Sequence, residues 1–120
     1  MVKLGVEDRL QKSIVDWLRL CVPHSVVFAV PNEGRRSFAQ QARHKALGML
    51  AGVTDLVLVT GQGVFFIEVK GPKGRVSPEQ DDFMGWCRSL GHGTAVVRSL
   101  DDVRLALKAW GVATREASVV

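Results

Sequence analysis

The chain has 120 residues, 47% of them hydrophobic and 23% charged, with a formal net charge of +4. That is the size and composition of one ordinary globular domain with a single core, and it shows no interdomain linker, internal repeat or low-complexity tract. No apolar run approaches the ~20 residues of a membrane span.

The opening "MVKLGVEDRL" lacks the apolar core of a signal peptide, so a cytoplasmic location is expected. Cys21 and Cys87 stand far apart without paired spacing, which argues against a disulfide framework or zinc site and for two buried thiols. The basic balance, with a pI of about 9.5, favours a polyanionic partner. Its charge is clustered, with Arg35, Arg36, Arg43 and Lys45 in one stretch and Lys70, Lys73 and Arg75 in another.

In chain order, residues 6–21 read as a helix, with Val6, Leu10, Ile14, Trp17 and Cys21 on one apolar stripe and Pro23 as its stop. "SVVFAV" at 25–30 reads as a strand ended by Pro31. After a polar loop, a helix is predicted from Ser37 to about Leu50, with Phe38, Ala42, Ala46 and Leu50 on one face. "DLVLV" from Asp55 and "GVFFIEVK" from Gly63 read as two strands, and the short link Thr60–Gly63 makes them an antiparallel hairpin. The first is apolar at every position after Asp55, as for a strand covered on both faces. Ser77, Pro78 and Gln80 form a capping box at the start of a helix that buries Phe83, Cys87 and Leu90 and ends at Gly91. "TAVV" at 94–97 is a fourth strand. Ser99 with Asp102 caps a last helix through Trp110, stopped by Gly111. The one domain is expected to span 1–111, with a free tail from Val112. The order predicts an α/β domain with a mixed sheet flanked by helices.

Three charged residues interrupt the apolar hairpin. Phe66, Glu68 and Lys70 share one face of their strand, while Phe65, Ile67 and Val69 share the other. Asp55 begins the partner strand at the open end of the hairpin, so its carboxylate and that of Glu68 are expected at the same sheet edge. Two adjacent carboxylates repel unless something neutralises them. Mg²⁺ is a suitable partner, held by Asp55, Glu68 and the Val69 carbonyl, and Lys70 beside it suits phosphodiester hydrolysis. Spacing alone also allows an ion-pair cluster at a solvated sheet edge.

The wider pattern narrows that choice. "GVTDLVLV" followed by "FFIEVKGPKGRVSPEQ", with "VPNEGRR" upstream and an acidic first helix, resembles the virus-type replication-repair nuclease (VRR-NUC) domain of the PD-(D/E)xK superfamily. The resemblance covers roughly residues 5 to 98. It implies a restriction-endonuclease-like αβββαβ core, here with an inserted helix and an extra C-terminal helix, and DNA cleavage with Mg²⁺ or Mn²⁺. By the same resemblance Asp55 and Glu68 match the metal-binding acids and Lys70 the catalytic lysine. Gln80 matches a glutamine near the active site, and Glu7 an additional metal or water ligand. Thr54 replaces the proline that often precedes the aspartate. Asn32 and Gly34 match the family's loop, where Arg35 and Arg36 are candidates to grip DNA phosphates, as are Lys73 and Arg75. A DNA repair role in a phage or mobile element is also implied.

"GPKGRVS" lacks the order of a P-loop, so nucleotide hydrolysis is not expected. His24, His44 and His92 are isolated, and Trp17, Trp86 and Trp110 read as core residues. The sequence thus predicts a Mg²⁺-dependent DNA endonuclease that selects branched or junction DNA by shape and acts as a homodimer. The alternatives are a non-catalytic DNA-binding module of the same fold and a nuclease acting on RNA.

Overall fold

The computed structural model describes residues 4–31 and 37–116. Its elements are α1 (Val6–Cys21), β1 (Val26–Ala29), α2 (Phe38–Ala46), β2 (Leu56–Thr60), β3 (Gly63–Val69), α3 (Pro78–Ser89), β4 (Gly93–Val97) and α4 (Leu100–Ala109). The strands form one sheet in the order β1-β2-β3-β4. β1 and β3 run antiparallel to β2, and β4 runs parallel to β3. The mixed α/β sheet expected from the sequence is therefore present.

Strand alternation divides the sheet into two faces. Val27, Leu58 and Phe65 lie in register across β1, β2 and β3, as do Ala29, Leu56 and Ile67. This face carries the main core, which Ile14 and Leu18 of α1, Val103 and Leu107 of α4, and Val97 complete. Phe65 stacks on Trp110 with ring centroids 4.5 Å apart. Gly93 permits that stack, since a Cβ there would come within 2.7 Å of the Phe65 ring. On the opposite face α3 packs Phe83 edge-on to Phe66 and buries Met84 and Cys87. Cys21 and Cys87 are both free and buried, as expected.

The helices begin where their caps require. Ser37 and Ser77 each accept from the backbone N–H three residues on, and Gln40 and Gln80 return the bond in complete capping boxes. Ser99 accepts from Asp102 N–H at the start of α4. Glu7 and Asp8 place negative charge in the first turn of α1, where the helix dipole favours it.

Several expectations need correction. Val6 is largely exposed at the N-terminal end of α1, and Leu18, outside the expected stripe, is fully buried, because a helix lying on a sheet buries a band wider than one row of side chains. Leu90 is exposed as the C-cap of α3, so Met84 with Phe83 and Cys87 forms the inner face. Trp86 is 55% exposed and is not a core residue. α2 ends at Ala46, four residues before Leu50, and buries none of its residues; Phe38 is 88% exposed. Val59 is partly exposed, because the outer face of β1 and β2 lies beyond the cover of α3. Val112 is not the start of a free tail. It is 6% exposed within the core, Arg115 N–H donates to the Cys21 carbonyl at 2.6 Å, and Arg104 pairs with Glu116.

Candidate active site

The open end of the β2–β3 hairpin brings its two acids together through reciprocal backbone bonds. Asp55, just before β2, donates its N–H to Glu68 Oε1 at 3.1 Å, and Val69 N–H donates to Asp55 Oδ2 at 2.8 Å. Each carboxylate thus accepts from the opposite strand. The fixed register, Leu56 opposite Ile67, leaves no alternative pairing for the two charged ends. Thr54, in place of the family's proline, is fully buried and donates its hydroxyl to the Leu56 carbonyl at 3.2 Å, so the departure leaves no unsatisfied hydroxyl.

Glu68 is 1% exposed and is the most constrained of the set. Its Oε2 accepts from Gln80 Nε2 at 2.8 Å and lies 3.2 Å from Lys70 Nζ. Gln80 joins two structures at once. Its Oε1 accepts from Ser77 N–H at 2.9 Å to cap α3, and its amide N–H holds Glu68. Gly52 makes this approach possible. It adopts φ +85°, and a Cβ there would overlap the Glu79 carbonyl in the first turn of α3. Lys70 is buried along its stem and continues the parallel ladder, donating its N–H to the Val97 carbonyl at 3.0 Å.

The electrostatics record two acids withdrawn from water beside one another. Burial and the neighbouring Asp55 carboxylate push Glu68 up from 4.5 to about 7, against the opposing effect of Lys70. Burial also raises Asp55, with Glu7 adding to the rise, while the Val69 N–H and Glu68 bonds and Lys70 oppose it. Glu7 itself accepts from Gly71 N–H at 3.0 Å. Among the described residues no three or more His, Cys, Asp or Glu side chains gather as a ready metal cage. The donor set is two adjacent carboxylates and the nearby backbone, which fits a hard divalent cation that retains water and takes further oxygens from a substrate phosphate.

The structure therefore brings Asp55, Glu68, Lys70 and Gln80 into one cluster, with Glu7 one peptide beyond Lys70. Lys73 and Arg75 stand exposed on the turn that follows β3. Asn32, Arg35 and Arg36 lie outside the described residues. Two participants in the site's geometry were not among the candidate residues read from the sequence, although Gly52 opens the "GVTDLVLV" motif. Gly52 acts through a backbone contact, and Arg98, at the end of β4, donates Nη1 to the Gly71 carbonyl at 2.7 Å.

The sequence profile of the VRR-NUC domain matches residues 2–101. The chain belongs to the VRR-NUC family. That membership gives it a nuclease-type, DNA-related function. Solved structures share the fold, two of them as follows. One, described as a VRR_NUC domain protein, aligns with a TM-score of 0.69 at 19% identity, covering 91% of this chain and 90% of that one. The other, described as a VRR_NUC domain, aligns with a TM-score of 0.57 at 24% identity, covering 85% and 94%. No curated protein matches the chain. Among the described residues of this VRR-NUC domain, no helix is long and apolar enough to cross a membrane.

Proposed function

We propose that this VRR-NUC domain is a Mg²⁺-dependent DNA endonuclease that prefers branched or junction DNA and works as a homodimer. The observation that carries the reading is the pair Asp55 and Glu68. Glu68 has Lys70, Gln80 and a backbone N–H for partners, yet is still held at about 7. Two buried, adjacent acids so placed are costly to ionise together, first through desolvation and then through mutual repulsion, and a cation offsets both.

Asp55, Glu68 and the Val69 carbonyl would hold Mg²⁺ or Mn²⁺, which when bound supplies electrophilic activation of the scissile phosphate. The chain's own residues do the rest. Gln80 fixes the Glu68 carboxylate against the first turn of α3, so the acid keeps one orientation throughout the reaction. The Lys70 amine, 3.2 Å from Glu68 Oε2, orients the attacking water and offsets charge developing on the phosphoryl oxygens. Glu7 holds the peptide after Lys70 and stands close enough to Asp55 to influence its charge. Lys73 and Arg75, with Arg35 and Arg36 earlier in the sequence, neutralise DNA backbone phosphates, to which the Asn32 amide donates.

One domain carries one such centre, so paired cuts at a four-way junction call for two copies related by a two-fold axis. Exposed apolar residues support this reading. Val26, Phe28 and Val59 lie on the outer face of β1 and β2, and Phe38, Leu47, Met49 and Leu50 are on or just after α2.

The test is cleavage of labelled linear duplex, single strand, flap, four-way junction and RNA by purified protein in Mg²⁺, Mn²⁺ and EDTA. Metal-dependent cutting that is fastest on a branched substrate is expected. DNA binding without cutting in any metal would turn the reading to a non-catalytic DNA-binding module, and equal cutting of RNA would remove the DNA preference.

A further inference from the structure

Gly71, the residue after Lys70, is gripped on both of its flanking peptides by residues far apart in the chain. Gly71 N–H donates to Glu7 Oε2 at 3.0 Å, and the Gly71 carbonyl accepts from Arg98 Nη1 at 2.7 Å. Gly71 is itself buried, and without a side chain its orientation depends on these partners. Arg98 is anchored in turn, since its N–H donates to Asp102 Oδ2 at 2.8 Å where Ser99 caps α4. Beyond Gly71 the chain turns back at once, with Gly74 N–H donating to the same Gly71 carbonyl at 3.1 Å. The Lys70 side chain lies against that turn. A Cβ at Gly74 would sit 3.2 Å from Lys70 Cδ and 3.3 Å from Glu7 Oε2.

We infer that Arg98 is a positioning residue for Lys70. By holding the Gly71 carbonyl, it fixes the 71–74 turn on which the lysine stem rests, and so keeps the amine aimed at Glu68 and the phosphate to be cut. The activity part of this inference rests on the nuclease reading above. An arginine at the rim of a nuclease centre has an obvious rival role as a direct phosphate contact. The guanidinium's bond to a backbone carbonyl, charge-assisted and short, favours the internal role.

The test compares wild type, Arg98→Ala and Arg98→Lys in single-turnover cleavage, in DNA binding at several salt concentrations, and in backbone amide exchange followed by NMR. Arg98→Ala should slow cleavage about 10- to 100-fold, the scale of a small misplacement of a catalytic group. DNA affinity should stay within about twofold with an unchanged salt slope. Arg98→Lys, which restores an N–H donor near the carbonyl, should recover most of the rate. The amides of Lys70, Gly71 and Gly74 should lose protection in Arg98→Ala while those of Leu58 and Ile67 keep theirs.

Weaker, less salt-sensitive DNA binding with an unchanged cleavage step would make Arg98 a phosphate contact and overturn the inference. Unchanged cleavage, or protection lost throughout the core, would overturn it as well. If wild type cuts nothing, the nuclease reading fails on its own. The exchange pattern then still decides the clamp: loss confined to the 70–74 turn upholds it, and unchanged exchange there refutes it.

Discussion

Glu68 is where the chemistry and the stability of this domain meet. Its carboxyl is raised from 4.5 to about 7 in the folded protein, first by burial and then by Asp55, so the folded state holds a proton that the unfolded chain releases between those pH values. The stability from this proton is fully present below about pH 4.5 and is lost as pH rises through about 7. Urea unfolding in EDTA at about pH 5 and about pH 8 should show wild type losing more stability on the alkaline side than Glu68→Gln, which removes the titrating group. Saturating Mg²⁺ should narrow the wild-type difference, since a cation replaces the proton; parallel curves for the two proteins would count against the account. Asp55, Glu68 and Lys70 were legible in the sequence because charges at a fixed spacing stand out within an apolar hairpin. The capping box made Gln80 legible only as a helix cap, and its place beside Glu68 was legible only through the family resemblance. Gly52 and Arg98 were not, since a backbone approach and a bond to a distant carbonyl leave no periodic pattern.

At the scale of elements, the site depends on how closely the first turn of α3 approaches the residues leading into β2. Gly52 sets that distance. Gly52→Ala would place a side chain at φ +85° and drive it into the Glu79 carbonyl, with an expected cost of ~1–3 kcal/mol. The displaced α3 should weaken the Gln80–Glu68 bond and slow cleavage beyond what the stability loss explains. Thermal unfolding and single-turnover rates measured on the same variant check this, and a variant with wild-type rate and stability would contradict it. Helix starts were readable to the residue from Ser77 and Ser99, because a cap is a local side chain-to-backbone bond, while Ser37, read as the first helical residue, is the cap before Phe38. Which apolar residues are buried was less readable. Val6 and Phe38 have core-like spacing but little to pack against, while Leu18 is buried by the geometry of helix on sheet and Leu90 is carried outward as the last turn closes at Gly91. Val112 was missed because a single residue past the last helix forms no stripe, yet it fills the core beside α1 and α4.

For the whole molecule, sheet and helices serve one edge, where β3, the preceding end of β2, the end of β4 and the first turns of α1 and α3 converge. The outer sides of β1 and of the end of β2, with the exposed α2, leave Val26, Phe28, Val59 and Phe38 open to solvent. If that surface joins two copies, Phe38→Glu with Leu50→Glu should shift the protein from dimer to monomer in sedimentation velocity and reduce paired cutting of a four-way junction more than nicking of a flap. A wild type that is monomeric at all concentrations would remove the homodimer from the account. Its central claim is that the Asp55–Glu68–Lys70 cluster cuts DNA. The most direct measurement is the single-turnover cleavage rate of wild type, Glu68→Gln and Lys70→Ala in Mg²⁺, with DNA affinity determined alongside. The account predicts metal-dependent cutting by wild type and a loss of at least about 10³-fold in both variants at near-unchanged affinity, as for removal of a transition-state interaction. Variants that cut as fast as wild type would place the chemistry elsewhere and contradict it.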